Sequence, residues 1–273
     1  MKKILLIALL FLSNSLLYSQ FLGGGSGTEI DPYRIYTKEH LEELADSVNA
    51  DKTPTTIPLQ PIDNWSRGRY FMLMNDITDG VKKSIGTRIS TSEAARFQGV
   101  FDGNNRAINL AIDTVNVRIG GLFVLGNSAV IKNLITTGYV NNTGTSAAAL
   151  GAMFYLGVDE EAIISNCINL ASITNSHNAM GIIGTFAINH HWGSCLVENC
   201  INYGLIQGRG RSAGIAFGEG FTVINCANYG VVRSTDTTNI TACILPILIL
   251  PSFPNTNTII NCHYDKQMCG GDD

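Results

Sequence analysis

The stretch Ile164-Ser165-Asn166-Cys167 decides the fold, because the same arrangement of residues returns along the last two thirds of the chain. An asparagine followed by a small apolar residue stands at its centre. A β-branched residue precedes the asparagine by two positions in most copies, and another, Ile173 in this copy, follows it by seven. The steps between copies are unequal, which indicates stacked coils joined by loops of different length. The dipeptides are Asn109-Leu110, Asn133-Leu134, Asn166-Cys167, Asn199-Cys200, Asn225-Cys226 and Asn261-Cys262.

A second, glycine-led phrase lies between these copies, so each coil offers at least two strands. Asparagines in register can pass amide hydrogen bonds from coil to coil, and the six asparagines are therefore predicted to form a ladder. The residues that follow them, Leu or Cys, are predicted to form one column in the core. The glycine phrases are Gly120-Gly121-Leu122-Phe123, Leu150-Gly151-Ala152-Met153-Phe154, Met180-Gly181-Ile182-Ile183-Gly184 and Ala213-Gly214-Ile215-Ala216-Phe217-Gly218.

These patterns predict an all-β protein, a right-handed parallel β-helix with a short N-terminal helical cap. Thr37 can cap a helix whose apolar positions follow helical spacing, and such a helix can cover the open end of a solenoid. The run Phe97–Asn105 alternates apolar and polar residues before a tight Asp-Gly-Asn turn. The predicted segments are a signal peptide (1–20), a cap (21–66), the β-helix (67–269) and a tail (270–273).

The first 20 residues resemble a secretory signal, with Lys2 and Lys3 before an apolar stretch and a processing region at 17–20. A retained anchor helix is the alternative. The sequence therefore predicts a protein that is secreted or placed on the bacterial outer surface. A net charge of −4 argues against nucleic acid as a partner. The apolar run Ile244–Pro251 is too short and too interrupted by proline to cross a membrane, so no span is expected after the signal is removed.

All seven cysteines lie between Cys167 and Cys269. Four of them share one position of the repeat, so the simplest interpretation is a column of small core residues. Two alternatives stay open. An exported chain could form a disulfide among Cys195, Cys243, Cys262 and Cys269, and a metal site is the third interpretation.

The residues also resemble a known family. Gly120-Gly121-Leu122-Phe123, followed by Ala129–Leu134 and Gly138-Tyr139-Val140, resembles the GLUG motif of repeat regions in bacterial surface proteins, including those attached to some IgA-cleaving peptidases. The resemblance implies an adhesin-like parallel β-helix that is secreted or held at the outer surface. Later glycine phrases lose the second glycine, and we recognise no anchoring module at the C-terminus, so the mode of surface attachment is left open.

His190-His191-Trp192 is the sharpest local cluster of functional side chains, and Cys195 follows it closely. Zinc requires a closed set of about four N or S ligands, and Cys200, the next candidate, is expected to point into the core. A loop on which Trp192 stacks on a sugar ring is the favoured functional interpretation. These three residues are therefore the predicted binding residues, and no metal is expected.

Charged residues are candidates for catalytic groups, because polysaccharide-cleaving enzymes also use parallel β-helices. Glycoside hydrolysis needs two facing carboxylates, and Asp159-Glu160-Glu161 and the pair Arg209 and Arg211 do not form a converging set in the sequence. Asp102-Gly103-Asn104-Asn105 lacks the pattern of a calcium loop. We therefore expect no catalytic residues, no cofactor and no enzymatic activity.

The sequence thus favours a secreted or cell-surface, non-catalytic adhesion module of a bacterium. Its expected partner is a surface glycan or a protein of a host or neighbouring cell. Two other classes stay open: a carbohydrate-active enzyme, either a polysaccharide lyase or a glycoside hydrolase, and a structural spacer.

Overall fold

The computed structural model describes residues 21–51, 53–54, 64–88, 93–115, 117–126, 128–154, 161–186, 194–218, 220–236, 241–245 and 257–269. It contains one α-helix, α1 (Lys38–Ala50), among these residues. The strands of the N-terminal half are β1 (Tyr33–Ile35), β2 (Thr53–Pro54), β3 (Tyr70–Leu73), β4 (Ile77–Val81), β5 (Thr87–Arg88), β6 (Glu93–Ala95), β7 (Val100–Thr114), β8 (Ile119–Gly120), β9 (Phe123–Leu125), β10 (Val130–Asn142), β11 (Ser146–Ala148) and β12 (Gly151–Phe154).

The strands of the C-terminal half are shorter, and two 3₁₀ turns, Phe21–Gly23 and Lys266–Met268, lie near the two ends of the described chain. These strands are β13 (Ala162–Ser165), β14 (Ile168–Asn169), β15 (Ser172–Asn175), β16 (Asn178–Met180), β17 (Ile183–Phe186), β18 (Cys195–Glu198), β19 (Ile201–Asn202), β20 (Ile206–Gly208), β21 (Ser212–Ala213), β22 (Ala216–Phe217), β23 (Phe221–Ile224), β24 (Ala227–Asn228), β25 (Val232–Ser234), β26 (Thr241–Ala242), β27 (Thr258–Ile260) and β28 (His263–Tyr264).

Strands β2, β6 and β5 form a small antiparallel sheet. The other strands form a parallel β-helix of about five turns, so the predicted fold class is confirmed. The third complete coil, for example, runs through β13 to β17 and then continues into β18, which lies beside β13. The glycine-led strands stack as a separate sheet in the order β22-β17-β12-β9. Gly151 in this sheet has a φ of +113°, and a Cβ there would collide with the carbonyl oxygen of Phe123. Glycine at this position therefore permits the close approach of adjacent coils.

The predicted helical cap is present at the N-terminal end. Thr37 is the N-cap of α1, and its hydroxyl accepts a hydrogen bond from the His40 amide at 3.4 Å. The apolar positions of the helix are all buried: Leu41, Leu44, Ala45 and Val48. The helix thus covers the apolar interior that the first coil would otherwise expose to water.

Five asparagines that precede the core column share one left-handed conformation, with φ between +51° and +54°. Asparagine tolerates this region better than most residues that carry a Cβ, which explains why it recurs at the corner. Their side chains meet between coils: Asn166 donates to Asn133 at 3.2 Å, Asn225 to Asn199 at 3.3 Å, and Asn261 to Asn225 at 2.7 Å. We call these five residues the outer ladder.

Asn109 does not belong to the outer ladder, and this part of the predicted set is wrong. It pairs in register with Thr137, and its side-chain amide donates to the Thr78 carbonyl. Leu110 is buried but lies opposite Gly138, outside the column that begins at Leu134. The physical reason is an irregularity at Gly103–Asn105, where the predicted tight turn is instead an interruption within β7.

Asp102 heads the outer ladder, because its carboxylate accepts a hydrogen bond from the Asn133 side chain at 3.0 Å. The column behind the ladder consists of Leu134, Cys167, Cys200, Cys226 and Cys262. Adjacent members are in contact, since the amides of Cys200 and Cys226 each donate to the thiol of the next coil at 3.4 Å. Burial raises the pKa of the Cys200 thiol well above its ordinary value.

A second, fully buried ladder lies three residues after the outer one, and sequence analysis missed it. Asn169 donates to the side chain of Asn202, and Asn202 donates to Asn228, both at 2.7 Å. The three side chains have no exposed surface, and Thr136 donates to Asn169 at 2.9 Å in the coil before them. We call Asn169, Asn202 and Asn228 the inner ladder.

Cys243 and Cys269 form a disulfide near the C-terminal end, with their Cα atoms 5.8 Å apart, a separation usual for disulfides. The pair belongs to the set that the sequence left open, whereas Cys195 and Cys262 are free thiols. Ile244 and Leu245 are buried, and the rest of the predicted apolar strand lies outside the described residues. No helix among the described residues is long and apolar enough to cross a membrane.

A polar groove on the flank of the solenoid

One flank of the solenoid carries two columns of polar side chains. The flank is formed by the ends of β7 and β10 and by β15, β20 and β25, which pair in parallel. The buried residues Val140, Ile173, Ile206 and Val232 hold this sheet against the core. The residue after each of them therefore points outward.

The first column is set by strand register. Asp113 lies opposite Asn141, Asn141 opposite Thr174, Thr174 opposite Gln207, and Gln207 opposite Arg233. The column therefore crosses five coils, a distance of about 19 Å at the usual spacing of strands.

The second column stands two residues further along each coil and includes Ser176, Arg209 and Thr235. A cavity of about 430 Å³ opens over the two columns, and residues of both columns line it. It runs across the strands rather than along one of them. We call this cavity the flank groove.

The N-terminal part of the flank groove is internally paired. The carboxylate of Asp113 accepts hydrogen bonds from the side-chain amide of Asn141 and from the hydroxyl of Tyr139, each at 2.9 Å. These two donors lower the pKa of Asp113, and the bond from Asn141 is the larger cause. The hydrogen bond between Tyr139 and Asp113 also raises the pKa of Tyr139. The hydroxyl of Thr174 donates to the side-chain oxygen of Asn141.

The C-terminal part of the flank groove presents unused hydrogen-bond donors. The Arg209 guanidinium makes no hydrogen bond or ion pair with any residue that the structure describes, and it is exposed. The side-chain nitrogen of Asn175, which lines the groove and is only 8 % exposed, has no hydrogen-bond partner in the described structure. Such a buried donor is unusual in proteins. A ligand with acceptor oxygens would supply a partner for the exposed guanidinium of Arg209, whereas the Asn175 nitrogen has almost no accessible surface.

The predicted binding residues His190, His191 and Trp192 lie outside the described residues, as do Asp159 and Glu160. Of the other candidates, Arg209 lines the flank groove, whereas Arg211 packs its guanidinium 5.6 Å from the centroid of the Phe217 ring. No group of three or more His, Cys, Asp or Glu side chains within the described ranges is placed to hold a metal ion.

Comparison with known proteins gives a match among the solved structures. No family model and no curated protein matches the chain. The chain is similar to the crystal structure, at 1.30 Å resolution, of a "putative immunoglobulin A1 protease" from Bacteroides ovatus. The TM-score is 0.57 at 18 % sequence identity, over 91 % of this chain and 80 % of the other. At this identity the similarity shows a shared fold.

This comparison corrects the expectation that the chain is not an enzyme. A protein with the same scaffold bears the name of a protease, so the β-helix is no ground for excluding enzymatic activity. The expectation depended on the absence of local catalytic motifs. That criterion is weak for a solenoid, because side chains that meet on one flank come from coils 26 to 33 residues apart, as Asn141, Thr174, Gln207 and Arg233 do.

Proposed function

We propose that the protein is exported by a bacterium and binds a glycan along the flank groove. The observation that carries the proposal is the groove itself, which crosses several coils and offers hydroxyls, amides and one guanidinium to a ligand. These groups both donate and accept hydrogen bonds, as recognition of the hydroxyl groups of a sugar chain requires. The GLUG-like repeats belong to this proposal as the kind of scaffold that displays such a surface.

Export is supported by two features of the chain. Residues 1–20 have the pattern of a secretory signal, and the disulfide between Cys243 and Cys269 is of a kind that persists in oxidising compartments. Mass spectrometry of protein isolated from cells that express the whole chain tests this part. An N-terminus near Phe21 on protein recovered outside the cytoplasm is the expected result, and an intact Met1 on cytoplasmic protein would contradict it.

A screen of the purified protein on a glycan array tests the binding function. Thr174→Trp places a large side chain in the groove and is expected to abolish the signal. Thr222→Trp is the matched control, because Thr222 is also a half-exposed residue of a parallel strand but lies on β23, on another face. Loss of signal in both variants, or in neither, would remove the groove as the binding site.

The predicted contact at Trp192 is tested in the same screen. If Trp192 stacks on a sugar ring, Trp192→Ala weakens every signal that Thr174→Trp abolishes, because the stacking contact is lost while the groove stays open. Equal signal from Trp192→Ala and the unchanged protein would restrict binding to the flank groove.

Cleavage of a peptide bond is a second candidate function, and the name of the Bacteroides ovatus protein favours it. The test is incubation of the purified protein with immunoglobulin A1, followed by electrophoresis of the heavy chain. Discrete fragments that appear with the protein and not with a heat-unfolded sample would establish proteolysis. An intact heavy chain would leave binding as the function of the groove.

A further inference from the structure

We propose that the C-terminal end of the flank groove binds the acidic group of an anionic saccharide, either a carboxylate or a sulfate, with Arg209 as its main contact. This inference rests on the proposed glycan-binding function and narrows the ligand to one chemical class. It follows from an imbalance between the hydrogen-bond acceptors and donors that the groove leaves unused.

The acceptors of the outward column are already occupied. Both carboxylate oxygens of Asp113 accept hydrogen bonds, from Asn141 and Tyr139. The side-chain oxygen of Asn141 accepts from Thr174, and that of Gln207 accepts from the guanidinium of Arg233 at 2.8 Å. Each of these amide and carboxylate oxygens thus already has one donor within the column, which reduces what it can accept from a ligand.

Two hydrogen-bond donors of the groove lining, in contrast, are not engaged by any residue that the structure describes. They are the guanidinium of Arg209 and the side-chain nitrogen of Gln207, and both residues line the groove. Arg233 donates its Nε atom to Gln207 and stands beside the groove, outside its lining. Arg209 follows Asn175 by one coil, because its amide donates to the Asn175 carbonyl at 3.1 Å. These donors thus lie close together at one end of the groove.

Charge at this end favours an anion. The protein as a whole carries a net charge of −4, yet Arg209 and Arg233 are neighbours on the flank. The one acid of the groove lining, Asp113, stands three coils before Gln207, about 14 Å away at the spacing of parallel strands. Guanidinium groups bind carboxylate and sulfate-like oxygens through two parallel hydrogen bonds. The acidic group of the ligand therefore belongs beside Arg209.

A saccharide fits this site better than an acidic peptide. An extended peptide is commonly bound by strand addition, which needs a free sheet edge. The groove instead lies on the face of a sheet whose strands are paired on both sides, since β20 lies between β15 and β25. Its lining has hydroxyl and amide groups with a single large apolar residue, Val115, so it offers no pockets for peptide side chains.

Calorimetric titration with three oligosaccharides of equal length tests the inference: one neutral, one built of uronic acids and one sulfated. The purified protein is expected to bind at least one of the two acidic ligands about tenfold more tightly than the neutral one, as a charge-assisted hydrogen bond allows. Added salt should reduce this preference. A preference for the uronate or for the sulfated ligand identifies which acidic group is bound.

Arg209→Gln is expected to lower the affinity for the acidic ligand about tenfold and so to remove its preference over the neutral one. Arg106→Gln is the matched control, because Arg106 is an equally exposed arginine on β7, away from the groove. Arg209→Lys should restore part of the preference. A thermal unfolding curve of Arg209→Gln that matches the unchanged protein would exclude loss of folding.

The outcomes separate this inference from the proposed function. Equal affinity for acidic and neutral ligands, or an acid preference that survives in Arg209→Gln, overturns the anionic ligand while glycan binding stands. Failure of all three oligosaccharides to bind, together with an empty glycan array, overturns both.

Discussion

The two ends of the solenoid differ in how their outermost coils are covered. At the N-terminal end, α1 covers the interior, and the first coils contain a packed group of aromatic rings, with Phe97 and Phe123 at 5.3 Å between centroids. At the C-terminal end, every residue of β27 is exposed. The last coils contain the inner ladder and one disulfide. A coil repeat therefore specifies how the coils stack, but it does not specify how each end of the core is covered.

Residues of one type in one column give the largest expected contrast. Ile131 and Ile259 occupy equivalent positions on β10 and β27, but Ile131 is fully buried whereas Ile259 is 41 % exposed. Ile131→Ala should lower the free energy of unfolding by about 2 to 5 kcal/mol, because it leaves a cavity, and Ile259→Ala by roughly 1 kcal/mol. Urea denaturation measures both. Equal losses would mean that the C-terminal end is covered in solution.

The two ladders provide the next contrast. Asn202→Ala leaves a buried amide of Asn169 and the Gly204 nitrogen without their acceptor, so we expect a loss of about 2 to 4 kcal/mol. Asn199→Gly keeps the left-handed backbone and removes only an exposed hydrogen bond, and should cost less than about 1 kcal/mol. Thermal unfolding of the two variants measures the difference. A larger loss for Asn199→Gly would show that the outer ladder holds the coils together.

The disulfide is expected to act on the C-terminal end alone. Replacing Cys243 and Cys269 by serine removes a link that closes a loop of 26 residues, worth at most about 3.5 kcal/mol. Amide hydrogen exchange should become faster in β27 and β28 and stay unchanged in β7 and β10. Faster exchange throughout the chain would contradict a local role. The single substitution Cys195→Ser, at a free thiol, tests whether any cysteine substitution has the same effect.

The smallest effect distinguishes the paired end of the flank groove from its unpaired end. The pKa of Asp113 is lowered by Asn141 and Tyr139, so the ionised carboxylate stabilises the fold above the ordinary pKa of a carboxyl group. This contribution is lost as pH falls through the folded value. Tyr139→Phe should raise the pKa of Asp113 in an NMR titration, and Tyr203→Phe should not. An unchanged value in Tyr139→Phe would show that this hydrogen bond is absent in solution.

Much of the scaffold could be predicted from the sequence, because the determinants are local. Each determinant lies within a short stretch of sequence: the asparagine that adopts positive φ, the β-branched residue seven positions later, and the helical spacing after Thr37. Asn109 was misplaced because its dipeptide matches the others, while its register is fixed by the irregularity at Gly103–Asn105, which the dipeptide does not show. The inner ladder had a visible signal, an asparagine three residues after Asn166, Asn199 and Asn225.

The flank groove could not be found by a search for motifs. Its residues stand in different coils, so no short stretch of sequence contains them. One signal was available: Asn141, Thr174, Gln207 and Arg233 each stand eight residues after an outer-ladder asparagine. Reading them as one surface required the strand register. The balance of donors and acceptors required, in addition, the hydrogen bonds between side chains.

Asp102 at the head of the outer ladder has a consequence for the direction of the whole row. A carboxylate can only accept, so Asn133 must turn its nitrogen toward it and present its oxygen to Asn166. The bonds from Asn225 to Asn199 and from Asn261 to Asn225 run in the same direction. The single negative charge of Asp102 thereby fixes the direction of the Asn133 and Asn166 amides. An amide can both donate and accept hydrogen bonds, so Asp102→Asn would remove the group that fixes the orientation of the Asn133 side chain.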